Sequence, residues 1–153
     1  MRTQPHPIMV RWIAAAALAI VAVATTAGVS ACSSSKSAGS TTCPATGQHM
    51  TASGFSTAMK APGTIVLDVR TPAEYASGHL PAAQNIDIET PDFTPRIGAL
   101  DKNATIAVYC RSGNRSGAVL EEMTAAGFTH VYDLAGGIGA WQNIGGPMTT
   151  GGP

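Results

Sequence analysis

Aromatic side chains are scarce in this sequence, 5% of 153 residues, and charged ones make up only 12%. A core with so few rings must be filled by Val, Ile, Leu, Ala and Met. Basic and acidic residues balance at nine each, so there is no positive excess of the sort that nucleic acid selects. Cysteine is sparse as well: Cys32, Cys43 and Cys110. Three scattered thiols make no disulfide framework. None stands at Cys-x-x-Cys spacing, which speaks against a structural zinc site. Nothing implies a metal or an organic cofactor, and no internal repeat is visible.

What is present begins with an export pattern. Arg2 and Arg11 flank a start that runs into "IAAAALAIVAVATTAGV", Ile13 to Val29, without a charge. A basic n-region followed by an apolar h-region is a signal peptide, here residues 1–31. "VSAC", Val29 to Cys32, follows directly and resembles a bacterial lipobox. In that pattern Cys32 would be acylated and become the first residue of the mature chain. Several acyl chains on one cysteine would hold the protein firmly to the outer face of the cell membrane. The alternatives are a signal without lipidation or an uncleaved anchor. Beyond residue 31, seven basic residues face nine acidic ones, a net charge of −2. Residues 32–47 are rich in Ser, Thr and Gly and read as a flexible tether, which would span roughly 20 Å as a random coil. One domain, 48–153, remains, large enough to bury a core unaided.

Within it, "TIVLDV" (64–69) and "TIAVYC" (105–110) are β-branched and nearly continuously apolar, as strands buried on both faces are. Weaker strand signals lie at 49–53, 84–88 and 130–134. Thr71-Pro72-Ala73-Glu74 is a capping box with proline at the first helical position, and Gly78 stops that helix. Thr94-Pro95 starts a short helix. Ser116 to Ala126 sets Val119, Leu120 and Met123 on one face, with Gly127 as the C′ residue and Phe128 folding back. Strands alternating with helices predict an α/β layer on a largely parallel sheet.

"VYCRSGNRSG", 108–117, puts Cys110 where a strand ends and a helix is about to begin. That crevice is where open α/β sheets bind ligands. Gly113 and Gly117 free the backbone to turn its N–H groups inward, a helix N-terminus adds its dipole, and Arg111 and Arg115 add charge. Such a loop cradles anions and lowers a thiol pKa, and so suits a thiolate nucleophile acting on a small anion. The plainer alternative is a strand-end cysteine that only packs.

Three segments, "LDVRTPAEYASGHLPAAQNI" (67–86), "VYCRSGNRSG" (108–117) and "GFTHVYDLAGGIGAW" (127–141), resemble the rhodanese-like sulfurtransferases, in that family's order. The resemblance implies a five-stranded, mainly parallel sheet with helices on both faces. It also implies a double displacement in which Cys110 takes a sulfane sulfur from a small sulfur-containing anion such as thiosulfate. The resulting persulfide then passes that sulfur to a thiol or cyanide. The backbone N–H groups of Arg111, Ser112, Gly113, Asn114, Arg115 and Ser116 would cradle the persulfide, and the Arg111 and Arg115 side chains would bind the donor. Cysteine phosphatases carry Cys-x5-Arg; Cys110 to Arg115 is Cys-x4-Arg, a shorter cradle that favours one sulfur over a tetrahedral oxyanion. A carrier module without turnover, and less readily a phosphatase or arsenate reductase, are the alternatives. No protein partner can be named.

Asp68 and Arg70 end a strand on one face. Asp68 either orients the loop or an arginine, or joins Arg70 in a structural ion pair; for Arg70 the pairing, with Glu74 or Asp68, is favoured. His79 is expected in a turn. The family pattern there runs Pro-Gly-Ala, whereas this chain has Pro81-Ala82-Ala83; alanine disfavours positive φ, so a local difference is expected. Gly136-Gly137 and Trp141 are expected to form a tight turn and a packing anchor. Cys43 is read as a dispensable thiol, against the sharper reading that it resolves or locks Cys110.

Overall fold

The β-branched runs become the middle of a sheet. The computed structural model describes residues 44–152. The signal segment, Cys32 and Cys43 lie outside the described residues. Five strands, β1 (Gln48–Met50), β2 (Ile65–Asp68), β3 (Ala83–Asn85), β4 (Thr105–Tyr109) and β5 (His130–Leu134), alternate with five helices, α1 (Ala52–Ala58), α2 (Pro72–Ser77), α3 (Phe93–Gly98), α4 (Asn114–Ala125) and α5 (Gly137–Asn143). The strand order is β1-β5-β4-β2-β3 and every pairing is parallel. None of the helices among the described residues is long and apolar enough to cross a membrane.

Strand alternation splits the core in two. Leu67, Val69, Ile106, Val108, Cys110 and Val131 pack with α3 and α4 through Phe93, Ile97, Val119, Leu120 and Met123. Val66, Ala107, Tyr109, Tyr132 and Leu134 pack on the other face with Phe55 of α1, Tyr75 of α2, and Ile138 and Trp141 of α5. Period-two side-chain direction is the cause: successive residues of one strand feed different cores. Seven of the eight aromatic rings in the sequence lie in these two layers. Five of those seven rings belong to the α1–α2–α5 side, so the aromatic bulk is one-sided.

Local chemistry sets the helix ends. The Thr71 hydroxyl accepts from the Glu74 N–H at 3.3 Å while the Glu74 carboxylate accepts from the Thr71 N–H at 3.2 Å, completing the capping box. Gly127, at φ +88°, closes α4, and the Phe128 N–H donates to the Met123 carbonyl at 3.1 Å as Phe128 folds into the core.

Several elements differ from expectation. The strand signal at 49–53 is split: β1 ends at Met50, and Thr51 caps a helix, α1, whose Phe55 is fully buried. The ring of Phe55 drives this; in a helix it reaches Tyr132 at 5.6 Å and Trp141 at 6.3 Å between centroids. The third strand sits at 83–85 rather than 84–88. The expected Gly136-Gly137 turn and Trp141 anchor are joined by a helix that the sequence did not announce, α5 at 137–143. The turn at Ala82 does not avoid positive φ: Ala82 sits at φ +59°. Flanking contacts fix that turn, among them the Tyr75 hydroxyl donating to the Ala83 carbonyl at 2.6 Å, so the alanine carries the strain.

Candidate active site

Cys110 stands one residue past β4, facing α4. Gly113 adopts φ +98° as the N-cap of α4, which turns the loop back over the sulfur. Its N–H donates to Cys110 Sγ at 3.1 Å. Burial pushes the thiol pKa up, but hydrogen bonds from the Ser116 N–H and hydroxyl and from the Ser112 and Gly113 N–H groups outweigh it, and the net shift is downward. The residue is fully buried in this conformation, so the favoured thiolate is closed to solvent.

The loop is held from behind by glycines. A Cβ on Gly137 would lie 2.5 Å from the Cys110 carbonyl oxygen and from the Arg111 carbonyl carbon. The backbone of α5 therefore touches the loop directly, and the Ile138 N–H donates to the Cys110 carbonyl at 2.9 Å. Gly136-Gly137 does form a tight turn, and that turn is also a wall of the site.

The two arginines part company. Arg115 reaches back to α2, with Nη1 donating to Glu74 Oε2 and Nη2 to Glu74 Oε1, both at 2.9 Å. Nη1 also donates to Glu89 Oε1 at 3.2 Å. The Arg115 bond, helped by the Thr71 cap, holds the Glu74 carboxyl down to about 2 against the opposing effect of burial. Two carboxylates thus occupy the guanidinium expected to bind a donor; Arg115 ties α4 to α2 instead. Arg111 is exposed and makes no ion pair among the described residues. Ser112 and Asn114 are exposed too.

Asp68 and Arg70 lie on the opposite side of the sheet from Cys110, as their alternation with Val69 requires. Arg70 Nη2 donates to Asp68 Oδ2 at 2.6 Å and to the Gly78 carbonyl at 2.8 Å, and Nε donates to Asp68 Oδ1 at 2.9 Å. The guanidinium stacks over Tyr109 at 5.6 Å. Burial opposes the Arg70 charge, but Asp68 raises its pKa overall; burial, with the Asp68 charge, raises that of Tyr109. Asp68 does orient an arginine, and the pair is a buried structural brace under the 78–80 turn rather than a wall of the cysteine pocket. His79 belongs to the same turn, with Nδ1 3.0 Å from the Tyr75 carbonyl and its ring stacked on Tyr75 at 3.8 Å. Trp141 is a packing anchor, its Nε1–H donating to the Pro147 carbonyl at 3.0 Å.

Three residues tied to the Cys110 loop through Arg115 and Ser116 carry no site signal in the sequence: Glu74, Asp133 and His49. The sequence marks Glu74 only as a cap or a partner of Arg70. Asp133 is fully buried on the Cys110 face, accepting from the Ser116 hydroxyl at 2.8 Å and from His49 Nδ1 at 2.7 Å. The pairing of β1 with β5 sets His49 against Asp133, a contact between residues 84 apart that no local pattern announces. The capping-box spacing did mark Glu74, but not its second partner. Among the described residues, no cluster of His, Cys, Asp and Glu could hold a metal ion.

A five-stranded parallel sheet with a cysteine loop between β4 and α4 defines a class, and comparison with known proteins agrees. The family model Rhodanese-like domain matches residues 51–144. The chain is 36% identical over 86 residues to Thiosulfate sulfurtransferase GlpE of Pseudomonas fluorescens, an alignment covering 56% of this chain and 76% of that protein. It is also 36% identical over 91 residues to Thiosulfate sulfurtransferase 16, chloroplastic, of Arabidopsis thaliana, covering 53% and 76%. Among solved structures, a rhodanese-related protein from Thermoplasma volcanium superposes with a TM-score of 0.60 at 30% identity, over 67% of this chain and 97% of that one. This chain belongs to the rhodanese-like domain family and is a rhodanese-type enzyme.

Proposed function

We propose that the protein is a sulfurtransferase working through a persulfide on Cys110. The observation that carries this is the set of donors from Ser112, Gly113 and Ser116 converging on one sulfur with a lowered pKa. The thiolate attacks the outer sulfur of a sulfane anion such as thiosulfate. A sulfur–sulfur bond forms at Cys110, the bond within the donor breaks, and sulfite leaves with the electron pair. A thiolate or cyanide then attacks the terminal sulfur of the persulfide, and the Cys110 thiolate is released. The N–H groups of 111–116 hold the negative sulfur in both steps. Arg111 supplies the unpaired positive charge for the donor, and Arg115 positions the loop. Asp68 and Arg70 support the fold beneath. With both carboxylates on Arg115, phosphate and arsenate chemistry loses the arginine it needs.

The test is to incubate the chain with thiosulfate and map peptides by mass. A one-sulfur gain on the Cys110 peptide, removed by cyanide as thiocyanate and absent in Cys110→Ser, is the expected result. Absence of any adduct with thiosulfate, polysulfide and glutathione persulfide overturns it. One observation favours a second reading: the thiol is closed to solvent, as suits a sulfur carrier opened by a partner. That version predicts a Cys110 adduct but negligible turnover with small acceptors.

We further propose that the domain is exported and held to the membrane through lipidated Cys32, on the strength of the n-region, h-region and "VSAC" order in the sequence. Cys32→Ser should move the chain from the membrane fraction to the soluble exported fraction; an unchanged distribution removes the lipid anchor.

A further inference from the structure

Behind the sulfur lies a chain of polar groups that sulfur transfer as described does not use. Asp133 and Cys110 project to the same side of the sheet from neighbouring strands. Asp133 is in register with Val108, one same-face step below Cys110. Its carboxylate is fully buried and accepts two hydrogen bonds, from the Ser116 hydroxyl at 2.8 Å and from His49 Nδ1 at 2.7 Å. The Ser116 hydroxyl also donates to the Gly113 carbonyl at 3.1 Å, and hydrogen bonding from Ser116 is among the causes that lower the Cys110 pKa. A hydroxyl has one proton to give. Three acceptors, the Asp133 carboxylate, the Gly113 carbonyl and the Cys110 thiolate, compete for it.

We propose that the Asp133–His49 pair is a positioning device for the Cys110 nucleophile: an uncompensated Asp133 charge draws the Ser116 proton away from the sulfur, and a proton on His49 releases it. The proposal rests on Cys110 being the working thiol of the function proposed above. His49 has the access to act as the control point, since its side chain is 61% exposed while that of Asp133 is 1% exposed. Histidine is the side chain whose charge changes between about pH 5 and 8. With His49 cationic, the buried carboxylate is neutralised from the solvent side and its hold on Ser116 weakens. With His49 neutral, the negative charge faces Ser116 alone, removing a donor from the thiolate and adding a repelling charge behind it. Thiolate formation at Cys110 is thus helped at low pH and opposed at high pH, spreading its titration over a wider range than a lone thiol shows.

The other charges around these groups are accounted for. Arg115 of α4 faces Cys110 but is paired with Glu74 of α2 and Glu89 from the β3–α3 connection. Arg111, in the loop itself, is exposed. Glu121 of α4 lines the same shallow surface groove as His49, with Gly47, Leu120 and Thr124. β4, α1 and α5 bring no charged side chain to this side. Asp68 and Arg70 of the β2 segment are engaged with each other on the opposite face.

The experiment follows thiolate absorbance of the full chain against pH, subtracting the same variant carrying Cys110→Ser to remove Cys32 and Cys43. It needs no sulfur donor and no access to the buried sulfur, so a chain that transfers no sulfur can still show the device. Asp133→Asn should give a single-proton curve displaced to lower pH, with a thiolate fraction below the midpoint raised about threefold or more. His49→Gln, on the exposed side, should give a single-proton curve displaced to higher pH. Combined with Asp133→Asn, it should add nothing. A wild-type curve of single-proton width that His49→Gln leaves in place overturns the proposal, as does a His49→Gln shift that persists in the Asp133→Asn background. Should Asp133→Asn fail to fold, the width of the wild-type curve and the His49→Gln displacement decide alone.

Discussion

Cys110 combines two properties that usually oppose each other, full burial and a lowered pKa. Burial in apolar surroundings disfavours a thiolate, so the hydrogen bonds of the 112–116 backbone and the Ser116 hydroxyl must more than offset it. Ser116→Ala removes one of these donors and should raise the thiol pKa, leaving less thiolate at neutral pH. Because the lowered value belongs to an acid that ionises on losing its proton, the loss should be largest near neutrality and vanish well above the ordinary thiol range. Thiolate absorbance against pH checks this. Gly137 makes a second prediction at the same scale. Its φ of +59° and a Cβ position 2.5 Å from backbone atoms of 110–111 leave no room for a methyl group. Gly137→Ala should cost roughly 3 kcal/mol of stability and move the Cys110 loop, both readable by denaturant melts and by the thiolate titration. Legibility at this scale was uneven. Cys110, with its inward-turned glycine, could be placed from the strand–loop–helix pattern alone. Arg115 could be seen as a charge near the sulfur, but not as a charge already spoken for, since its partners Glu74 and Glu89 lie 41 and 26 residues away.

Between elements, the Arg115–Glu74–Glu89 cluster joins the start of α4 to the start of α2. Glu74 serves both: the same carboxylate caps its own helix through Thr71 and holds Arg115 bidentately. Glu74→Gln keeps a side chain able to complete the capping box but loses the charged fork, at a cost of about 1–2 kcal/mol. The pH dependence has a definite sign. A carboxyl lowered from 4.5 to about 2 in the folded state stabilises the fold fully above 4.5, and that contribution is lost as pH falls through 2. The wild-type advantage over Glu74→Gln should therefore be full at pH 6 and shrink between 4.5 and 2, measured by urea melts across that range. The elements themselves were readable where a cap or a period announced them: α2 by its box, α4 by Val119, Leu120 and Met123, β2 and β4 by their apolar runs. α1 and α5 were hidden for a physical reason. Both are seven residues long, contain glycine, and are held by tertiary contacts of Phe55 and Trp141 rather than by intrinsic propensity.

For the whole molecule, the parallel order β1-β5-β4-β2-β3 places the cysteine with its polar partners on one face and the aromatic bulk, with the Asp68–Arg70 pair, on the other. Thus the α3–α4 side carries Cys110, Ser116 and Asp133, while Tyr75, Tyr109, Tyr132, Phe55 and Trp141 brace the far side. The last residues close that far side. Trp141 donates to the Pro147 carbonyl, Thr149 and His79 exchange two backbone hydrogen bonds at 2.8 Å each, and the Gly151 N–H donates to the Ala76 carbonyl at 3.1 Å. This strap crosses the end of α2 that is remote from Glu74, and it touches the brace of Tyr75, His79 and Arg70 rather than the sulfur. Removing residues 146–153 should uncover Trp141 and strip His79 of both backbone bonds, lowering the thermal midpoint by about 10 °C or more. Because the strap and the thiol sit on opposite faces, the Cys110 titration of the truncated chain, measured below its melting point, should coincide with that of the intact chain. A displaced titration would show that the two cores are mechanically coupled through the sheet, and that the far side tunes the nucleophile as well as supporting it.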